Sequence, residues 1–435
     1  MKELNSILIA NRGEIASRIM RSCRKMGIRS VAVFSDADRH APYLEEADSA
    51  LYLGESAAAA SYLNVEKILE AARRAGVDAI HPGYGFLAEN AAFARACAAQ
   101  GFVFIGPRPE AIELMGSKWA ARELMQAQEV PVVPGYQGSD QSLSRFEQEA
   151  ARIGYPVLLK ATAGGGGKGM RLVRTAPELE AAMQAARSEA EHAFGNSRLM
   201  LEAYIEEGRH IEFQIMGDRH GQLIHLLERE CSLQRRYQKV MEESPSPVMN
   251  PQLRQRMADA ALRAARALQY DNAGTVEFIY QQQTDTFYFL EVNTRLQVEH
   301  PVTEAITGLD LVQLQIESAA GMPLRIAQEE VKSRGYALEL RLYAEDATRN
   351  FQPASGRILH FEAPQLEGLR LESAVRSGSD IPVYYDPMIA KLIIRGETRS
   401  EAHRKMRYTL RQLHCLGITT NQDFLLALMN MPAVQ

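Results

Sequence analysis

Apolar and polar side chains alternate strictly over residues 290–299, and this pattern predicts an extended strand with one polar face. The polar members are Glu291, Asn293, Arg295, Gln297 and Glu299. A solvated surface face is the ordinary explanation for such a row. Two carboxylates, two amides and a guanidinium on one side also indicate a lined binding site, and both interpretations stay open here.

A hairpin around this strand favours the second interpretation. Residues 274–280 are rich in β-branched and aromatic side chains, and the polar connector 281–286 would let them pair with the first strand. If Tyr280 pairs with Tyr288, Glu277 lies opposite Glu291. Opposed carboxylates repel each other across a sheet, and a hard cation that takes carboxylate and amide oxygens removes the conflict. The hairpin therefore predicts a metal site.

The length, charge and cysteine content of the chain limit the number of domains and the class of protein that it can be. A chain of 435 residues predicts two or three domains. Lys and Arg number 49, Asp and Glu 54, and the net charge of −5 argues against a nucleic-acid or membrane binder. No apolar run reaches the roughly 18 residues of a membrane span, and no signal peptide is evident. The scattered cysteines favour a reducing compartment, and we expect a cytoplasmic protein; they are Cys23, Cys97, Cys231 and Cys415.

The N-terminal part predicts a small α/β domain with a mostly parallel sheet. Strands at residues 6–10 and 30–34 flank a helix, which makes a βαβ unit without the GxGxxG dinucleotide fingerprint. The turn at 82–86 follows a predicted strand at the edge where such sheets bind ligands. A plain strand-to-helix turn is an equally good interpretation of it.

A glycine-rich segment, KATAGGGGKGM, interrupts the middle of the chain between two predicted strands. It is not a Walker loop, because Gly169 follows Lys168 and a strand follows the glycines. We interpret it as a mobile phosphate flap, with a flexible linker as the alternative. Further on, segment 228–240 carries Arg229, Arg235, Arg236 and Lys239, which predicts an anion-binding wall or a solvated face. Residues 303–320 are predicted to form one helix.

Seven motifs in order give the chain a family resemblance. They are IANRGEIA, HPGYGFLAEN, MGSK, KATAGGGGKGMR, QRRYQK, FLEVNTRLQVEHPVTE and YYDPMIAKL. Together they resemble the biotin carboxylases of the ATP-grasp group, over nearly the whole chain. The resemblance implies an α/β and α+β multidomain protein with an ATP-grasp fold. It implies a Rossmann-like domain at 1–113, an ATP-grasp domain at 114–330 with a mobile lid at about 132–204, and a mostly β domain at 331–435.

The resemblance also implies a reaction. ATP phosphorylates bicarbonate to carboxyphosphate, which breaks down to CO₂ and phosphate, and phosphate takes the ureido proton so that N1-carboxybiotin forms. This is the first half-reaction of an acyl-CoA carboxylase of the acetyl-, methylcrotonyl-, geranyl- or propionyl-CoA type. The catalytic residues implied are Arg295, Glu299 as the base for bicarbonate, Lys239, and Arg341 toward the biotin enolate.

Ligand-binding roles follow from the same motifs. For ATP, the implied residues are Lys118, Lys160, Gly165, Gly166, Gly167, Lys168, Glu202, Ile205, His210, Gln234 and Tyr237. The implied ligands of Mg²⁺ or Mn²⁺ are Glu277, Glu291 and Asn293, which agrees with the hairpin argument. Gln297 and Val298 join Lys239 and Arg295 around bicarbonate, and Tyr84 and Asp386 lie where the biotin pocket is expected.

The sequence differs from many members of this family at two positions near the nucleotide, and it lacks the motif that attaches biotin. Ala203 stands where many relatives carry Lys, and Tyr237 where many carry His, so nucleotide contacts differ there. No biotin-attachment AMKM motif is present, so we expect either a truncated piece or the first part of a longer subunit. The implied partners are a biotin carboxyl carrier, a carboxyltransferase subunit and a second copy of the chain. The motif wording leans weakly toward methylcrotonyl- or geranyl-type subunits and does not identify the acyl acceptor.

Two other function classes stay open. A catalytically silent scaffold would have lost part of the polar row, yet Glu277, Glu291, Arg295 and Glu299 are all present. An ATP-grasp ligase that joins a carboxylate to an amine would need neither the biotin arginine nor the RLQVEHPVTE run.

Overall fold

The computed structural model of the chain describes residues 2–162 and 170–434. Within them the helices are α1 (Gly13–Lys25), α2 (Val65–Ala75), α3 (Ala91–Ala99), α4 (Pro109–Met115), α5 (Lys118–Ala127), α6 (Leu143–Ile153), α7 (Leu179–Phe194), α8 (Pro251–Ala267), α9 (His300–Thr307), α10 (Leu311–Ala319), α11 (Arg399–Gln412) and α12 (Gln422–Met429). None of these helices is long and apolar enough to cross a membrane.

The N-terminal strands form a parallel sheet in the order β3-β2-β1-β4-β5. They are β1 (Ser6–Ile9), β2 (Arg29–Ser35), β3 (Ser49–Gly54), β4 (Ala79–His81) and β5 (Val103–Phe104). Every residue of β1 is buried, because helices cover both faces of this sheet. The predicted α/β architecture is confirmed, and the turn at 82–86 follows the carboxyl end of β4.

A four-stranded antiparallel layer, ordered β6-β9-β7-β8, comes next in the chain. Its strands are β6 (Gly135–Tyr136), β7 (Val157–Ala161), β8 (Arg171–Val173) and β9 (Leu199–Ala203). It packs its own apolar cluster against α6 and α7. The predicted glycine flap joins β7 to β8, and its residues 163–169 lie outside the described part of the chain.

The remaining strands follow, and most of them build one large antiparallel sheet. They are β10 (Arg209–Gly217), β11 (Leu223–Arg235), β12 (Gln238–Ser244), β13 (Asn272–Gln281), β14 (Thr286–Asn293), β15 (Tyr336–Tyr343), β16 (Glu345–Asp346), β17 (Gln352–Pro353), β18 (Gly356–Arg357), β19 (His360–Glu362), β20 (Leu369–Ser373), β21 (Asp380–Ile381), β22 (Met388–Gly396) and β23 (His414–Leu416). The eight-stranded order is β14-β13-β10-β11-β12-β15-β22-β20. The ladder between β12 and β15 therefore carries the sheet across the predicted boundary at residue 330.

The central hairpin differs from its predicted form in two ways. Glu277 does pair with Glu291, but Tyr280 pairs with Phe287, because a bulge at Leu290 shifts the register. Without this bulge, strict alternation would turn Glu291 toward the same apolar core as Phe289. The strand also ends at Asn293 and not at residue 299, so residues 294–299 form an irregular connection into α9.

The helix predicted over residues 303–320 is wrong as a single element, since the structure has α9 and α10 there. Gly308 ends α9 with a left-handed φ of 75°, a conformation that glycine adopts without a Cβ penalty. The Asp310 side chain then caps α10 by accepting a hydrogen bond from the Gln313 amide at 3.0 Å. The apolar pattern continues through the break, which is why periodicity alone missed it.

We expect Phe278→Ala to lower the free energy of unfolding by about 3–5 kcal/mol. Phe278 is fully buried, and its ring centroid lies 5.5 Å from that of Phe287 and 6.4 Å from that of Phe213, behind the Glu277–Glu291 pair. Denaturant unfolding measures the loss. Tyr408→Ala, at an aromatic residue with half its surface exposed, is the control and should stay within about 0.5 kcal/mol. Equal losses for both variants would contradict a core role for Phe278.

Candidate active site

One ammonium group lies at the centre of the site. Lys239, on β12, donates hydrogen bonds to Glu212 at 2.5 Å, Glu277 at 2.9 Å and Glu299 at 2.6 Å. These carboxylates come from β10, β13 and the connection before α9, and all three are buried. Burial alone would lower the pKa of Lys239, but the three carboxylates outweigh it and raise the pKa well above its ordinary value.

Glu299 is held between two cations. Its second oxygen accepts a hydrogen bond at 3.1 Å from Arg341, whose Nε donates to Glu242 at 2.7 Å. Burial would raise the pKa of Glu299, but Lys239 and Arg341 lower it far below its ordinary value. In this arrangement Glu299 is a weak base, and its basicity depends on where the two cations lie.

Glu277 joins the hairpin to this cluster. Its Oε1 accepts hydrogen bonds from Asn293 at 2.9 Å and Gln297 at 2.8 Å, in addition to the one from Lys239. The other oxygen lies 2.8 Å from Nε2 of His210. Burial would raise the pKa of Glu277, but Lys239 and His210 lower it well below its ordinary value. Glu277 is therefore a fixed negative charge.

The three predicted metal ligands do lie together at the β13–β14 hairpin. Glu291 faces Glu277, and no side chain in residues 2–162 and 170–434 donates a hydrogen bond to its carboxylate. Removal from bulk water raises the pKa of Glu291, and the charge of Glu277 raises it further. Asn293 contributes an oxygen that now accepts from Arg295 at 3.0 Å. A carboxylate that accepts no side-chain hydrogen bond in the described structure and lies beside other oxygen ligands fits Mg²⁺ or Mn²⁺.

Two predicted phosphate-binding lysines converge from different elements. Lys118 begins α5, and Lys160 lies on β7, where its ammonium is 2.5 Å from the buried carboxylate of Glu202. Arg122 donates to the same carboxylate at 3.2 Å. Burial lowers the pKa of Lys118, and the neighbouring charge of Lys160 lowers it further. Adjacent cations with one shared carboxylate leave an excess of positive charge, which suits phosphate groups.

The other predicted nucleotide residues divide into three groups. His210 and Gln234 lie together, with Gln234 Nε2 2.8 Å from His210 Nδ1, and Ile205 is half-buried just after β9. Tyr237, at the turn between β11 and β12, is 61% exposed and has a left-handed φ of 65°. Residues 165–168 lie outside the described ranges, so their predicted role stays a prediction.

The predicted bicarbonate residues line the connection between β14 and α9. Arg295 Nε donates to Glu89 at 2.8 Å, which ties this connection to the segment after the turn at 82–86. The carbonyl oxygen of Val298 accepts a hydrogen bond at 2.8 Å from Lys391 on β22. The connection is therefore fixed from both sides, by the N-terminal sheet and by the large sheet.

Of the two residues predicted for the biotin pocket, Tyr84 is linked to this connection, whereas the charges that act on Asp386 are those of Arg341 and Arg12. The Tyr84 hydroxyl donates to Glu14, which lies 3.2 Å from Lys391. Asp386 is open to solvent, and its carboxylate accepts a hydrogen bond from the Met388 amide at 2.9 Å. Lys391 thus links the Tyr84 side to the Val298 carbonyl.

The anion-binding wall predicted from segment 228–240 is largely wrong. Arg229 is fully buried and donates to Glu212 at 2.6 Å and Gln297 at 2.7 Å, so it stabilises the cluster from behind. Arg235 and Arg236 contact residues of the C-terminal region. Of the four predicted cations only Lys239 enters the cluster, because alternation along β11 sends Arg229 to the buried side.

Sequence reasoning missed three carboxylates that the structure brings to the site. They are Glu89, Glu212 and Glu242. Glu212 pairs with Glu277 across β10 and β13, and its alternation with apolar residues in HIEFQIM was a usable signal. His210, Glu212 and Glu277 also place potential ligand atoms within 4.8 Å of one another.

Comparison with known proteins gives three matching family models. They are the biotin carboxylase N-terminal domain at residues 3–112, the ATP binding domain of the carbamoyl-phosphate synthase L chain at 117–327, and the biotin carboxylase C-terminal domain at 339–435. Biotin carboxylase 1 of Bacillus subtilis is 50% identical over 426 residues, which cover 98% of this chain and 95% of that protein.

A second relative and a solved structure extend the comparison. The mitochondrial methylcrotonoyl-CoA carboxylase subunit alpha of Mus musculus is 48% identical over 430 residues, 99% of this chain and 60% of the relative. The chain therefore spans about three fifths of that relative's length. The biotin carboxylase domain dimer of Hydrogenobacter thermophilus 2-oxoglutarate carboxylase, in complex with MgADP, ADP and bicarbonate, superposes with a TM-score of 0.94 at 44% identity, covering 99% of this chain and 95% of that one.

Lys239→Met should lower the free energy of unfolding by about 3–5 kcal/mol at neutral pH, because three buried carboxylates lose their shared cation. Because the pKa values of Glu277 and Glu299 are lowered in the folded protein, their ionised carboxylates stabilise it fully above the ordinary glutamate pKa. That stabilisation is lost as pH falls through their lowered pKa values. Without the lysine these carboxylates take up protons more readily, so the deficit shrinks as pH falls from about 8 to about 5. Thermal unfolding at several pH values measures it.

The control for this variant is Lys405→Met on α11. Lys405 forms a partly exposed pair with Glu401 at 2.8 Å, so its loss should cost less than about 1 kcal/mol. A deficit of Lys239→Met that does not change with pH would contradict the assigned role of the ammonium.

Glu291→Gln should make the metal-free protein more stable, by up to about 1 kcal/mol, because it removes the like charge opposite Glu277. The same change should weaken binding of Mg²⁺–ADP about tenfold or more. Thermal unfolding without metal and calorimetric titration measure the two effects. Glu362→Gln, at an exposed glutamate, should change neither. Lower stability together with unchanged metal binding would contradict the proposed metal site.

Proposed function

This chain belongs to the biotin carboxylase family, and from that premise we propose that it uses ATP and bicarbonate to carboxylate biotin on a carrier. Its class is that of an ATP-dependent ligase. The observation that carries the proposal is the position of Glu299 between Lys239 and Arg341, with Lys239 also 2.9 Å from Glu277 of the opposed Glu277–Glu291 pair. This geometry supports the proposal, because it groups one carboxylate, two cations and an opposed pair of carboxylates within a single cluster.

Bicarbonate binds beside Glu299 in this proposal. Arg295, Gln297 and the Val298 backbone lie on the connection that carries Glu299, and Lys239 faces them from β12. A guanidinium suits bicarbonate because its planar fork binds two oxygens at once. Glu299 then removes the bicarbonate proton, so that the oxygen can attack the γ-phosphorus of ATP, the bond from that phosphorus to the bridging oxygen breaks, and ADP leaves.

The ion pairs of Glu299 explain how its basicity can be tuned. A carboxylate held by Lys239 and Arg341 has a low pKa and removes protons poorly. Both cations are also the groups that an incoming anion attracts. When bicarbonate draws Lys239 away, Glu299 loses stabilisation of its charge and becomes the stronger base.

ATP binds between the four-stranded layer and the large sheet in this proposal. Lys118 and Lys160 hold the phosphates together with the glycine segment 165–168, Glu202 and Ile205 border adenine, and His210, Gln234 and Tyr237 lie toward the ribose. Glu277, Glu291 and Asn293 would hold Mg²⁺ or Mn²⁺, which supplies charge neutralisation for phosphoryl transfer.

Biotin approaches from the other side of Glu299. Arg341 stabilises the enolate, and Tyr84 and Asp386 border the pocket. Carboxyphosphate breaks down to CO₂ and phosphate, phosphate takes the ureido proton, and the nitrogen attacks CO₂ to give N1-carboxybiotin. The ladder between β12 and β15 supports this assignment, because it holds the strands of Lys239 and Arg341 side by side and both cations contact Glu299.

The assembly around this chain is proposed by analogy with the relatives. We assign it a biotin carboxyl carrier and a carboxyltransferase as partners, a homodimeric state and a cytoplasmic location. Cys23, Cys97, Cys231 and Cys415 are unpaired in the described structure, which supports a reducing compartment. The carboxyltransferase would select the acyl acceptor. Similar identities to a methylcrotonoyl-CoA carboxylase subunit and to a bacterial biotin carboxylase favour no single acceptor.

The proposal is tested by ATP hydrolysis that depends on bicarbonate and is stimulated by free biotin. Glu299→Gln should lower this turnover about 10²- to 10⁴-fold, since it removes the base, while ATP affinity stays within about twofold. Steady-state kinetics and calorimetric ATP titration separate the two effects. Glu401→Gln, at a surface glutamate of α11, is the control with unchanged kinetics.

Two outcomes would overturn the proposal. A folded wild-type protein that shows no biotin stimulation would favour the silent scaffold or another ATP-grasp ligase. Equal losses of ATP binding and turnover in Glu299→Gln would mean that Glu299 serves the nucleotide and not bicarbonate.

A further inference from the structure

A second pair of opposed glutamates lies in the large sheet, away from solvent. Glu242 on β12 pairs directly with Glu339 on β15, and both side chains are completely buried. Glu242 Oε1 accepts the hydrogen bond from Arg341. The other three carboxylate oxygens, Glu242 Oε2 and both oxygens of Glu339, have no hydrogen-bond partner among the described residues.

The cations near this pair other than Arg341 make their hydrogen bonds to other groups: Lys239 donates to Glu212, Glu277 and Glu299, and Arg370 donates to Glu304 and Glu372. Besides the two glutamates themselves, the charged or titratable groups around the pair are Lys239 from β12, Arg341 from β15, Lys391 from β22, Arg370 from β20, Glu299 from the connection before α9, and His300 and Glu304 from α9. Arg341 is shared between Glu242 and Glu299. Lys391 donates to the Val298 carbonyl and lies 3.2 Å from Glu14, and burial keeps His300 neutral by lowering its pKa.

Two adjacent buried carboxylates that share one guanidinium cannot both be ionised without a large cost. A single proton between them removes that cost, because a protonated Glu339 can donate to the free Oε2 of Glu242. Burial raises the pKa of both side chains, which agrees with a retained proton. The pair then carries one negative charge, which is the charge that Arg341 balances.

We propose that Glu242 and Glu339 form a proton-holding carboxyl pair that positions Arg341 against Glu299. The inference rests on the proposed function for its catalytic consequence, and both glutamates act as positioning residues through Arg341. Loss of the shared proton would leave two negative charges next to Arg341, one on β12 and one on β15. The guanidinium would be drawn toward the pair and away from Glu299 and biotin, so activity should fall as pH rises.

The neighbouring residue Glu243 gives a comparison, because it is a buried carboxylate of the same sheet with a full set of donors. Glu243, the next residue of β12, points to the opposite face and is also buried. The Tyr336 hydroxyl and the guanidinium of Arg399 both donate to it. Its pKa is lowered, because these donors and His403 outweigh its burial. Glu339 has no such donors, which separates the proton-holding pair from an ordinary buried ion pair.

The test is the Glu339→Gln variant. Its side-chain amide has the shape of the protonated acid and can donate to Glu242 Oε2, so it should fold and keep turnover within about twofold at neutral pH. Because the amide does not ionise in this pH range, the alkaline fall in turnover should shift to higher pH or disappear.

Glu242→Gln should instead lower turnover about tenfold or more at every pH, with ATP affinity unchanged, since Arg341 loses its main hydrogen-bond acceptor. Glu243→Gln is the matched control and should leave the alkaline fall where it is.

A stability measurement tests the pair independently of activity. An unfolded glutamate releases its proton near pH 4.3, whereas Glu339 keeps its own, so wild-type stability should fall relative to Glu339→Gln as pH rises above that value. The difference in Tm should grow by about 4 °C between pH about 5.5 and about 8.5. The proton-holding pair would be overturned if the wild type and Glu339→Gln gave parallel curves of Tm against pH. It would also be overturned if the alkaline fall in turnover stayed at the same pH in Glu339→Gln, or if this variant failed to fold. Absence of bicarbonate-dependent hydrolysis in the wild type would overturn the proposed function and leave the Tm comparison valid.

Discussion

The contact between the Lys239 ammonium and three buried carboxylates is the interaction on which the rest of the site depends. Glu212, Glu277 and Glu299 come from separate segments of the chain, and each would be costly to bury as an isolated anion. One cation within 2.9 Å of all three makes their common burial possible. The carboxylates in turn fix the hairpin, the connection before α9 and the central strands relative to one another.

Charge balance also explains why the sheet contains two kinds of opposed glutamates. Glu277 and Glu291 meet where Glu291 is exposed, so a bound cation can reach the pair and remove its repulsion. Glu242 and Glu339 meet where solvent does not reach, and a proton is the smallest group that can do the same. Arg341 and Lys239 lie between the two pairs, so the charge on Glu299 responds to both.

The sequence predicted the elements whose signal is local, and the structure added those that depend on distant partners. The α/β class, the hairpin and the opposition of Glu277 to Glu291 follow from alternation and composition, and the structure confirms them. The bulge at Leu290 could not be read from alternation, because it serves the placement of Phe289 in a core built by other strands. The break at Gly308 was hidden for a similar reason, since apolar periodicity runs through it.

The same distinction between local patterns and distant contacts separates the site residues that the sequence predicted from those that it missed. The polar row from Glu291 to Glu299 was identified as a unit, although only its first part is a strand. Glu89 meets Arg295 over a separation of 206 residues, which no local pattern reports. Arg229 looked like a surface cation because its burial depends on a face set by β10 and α9. The roles of the individual residues rest on the family motifs, since spacing alone gives only their proximity.

The ladder between β12 and β15 makes the chain less modular than its motifs suggest. A division at residue 330 would leave two unpaired strand edges, with Met241, Glu242 and Glu243 on one piece and their partners on the other. The base and the arginine would then belong to different molecules. Recombination between relatives in this region therefore has to exchange these strands together, and the crossover points that preserve the large sheet lie before β10 or after β22.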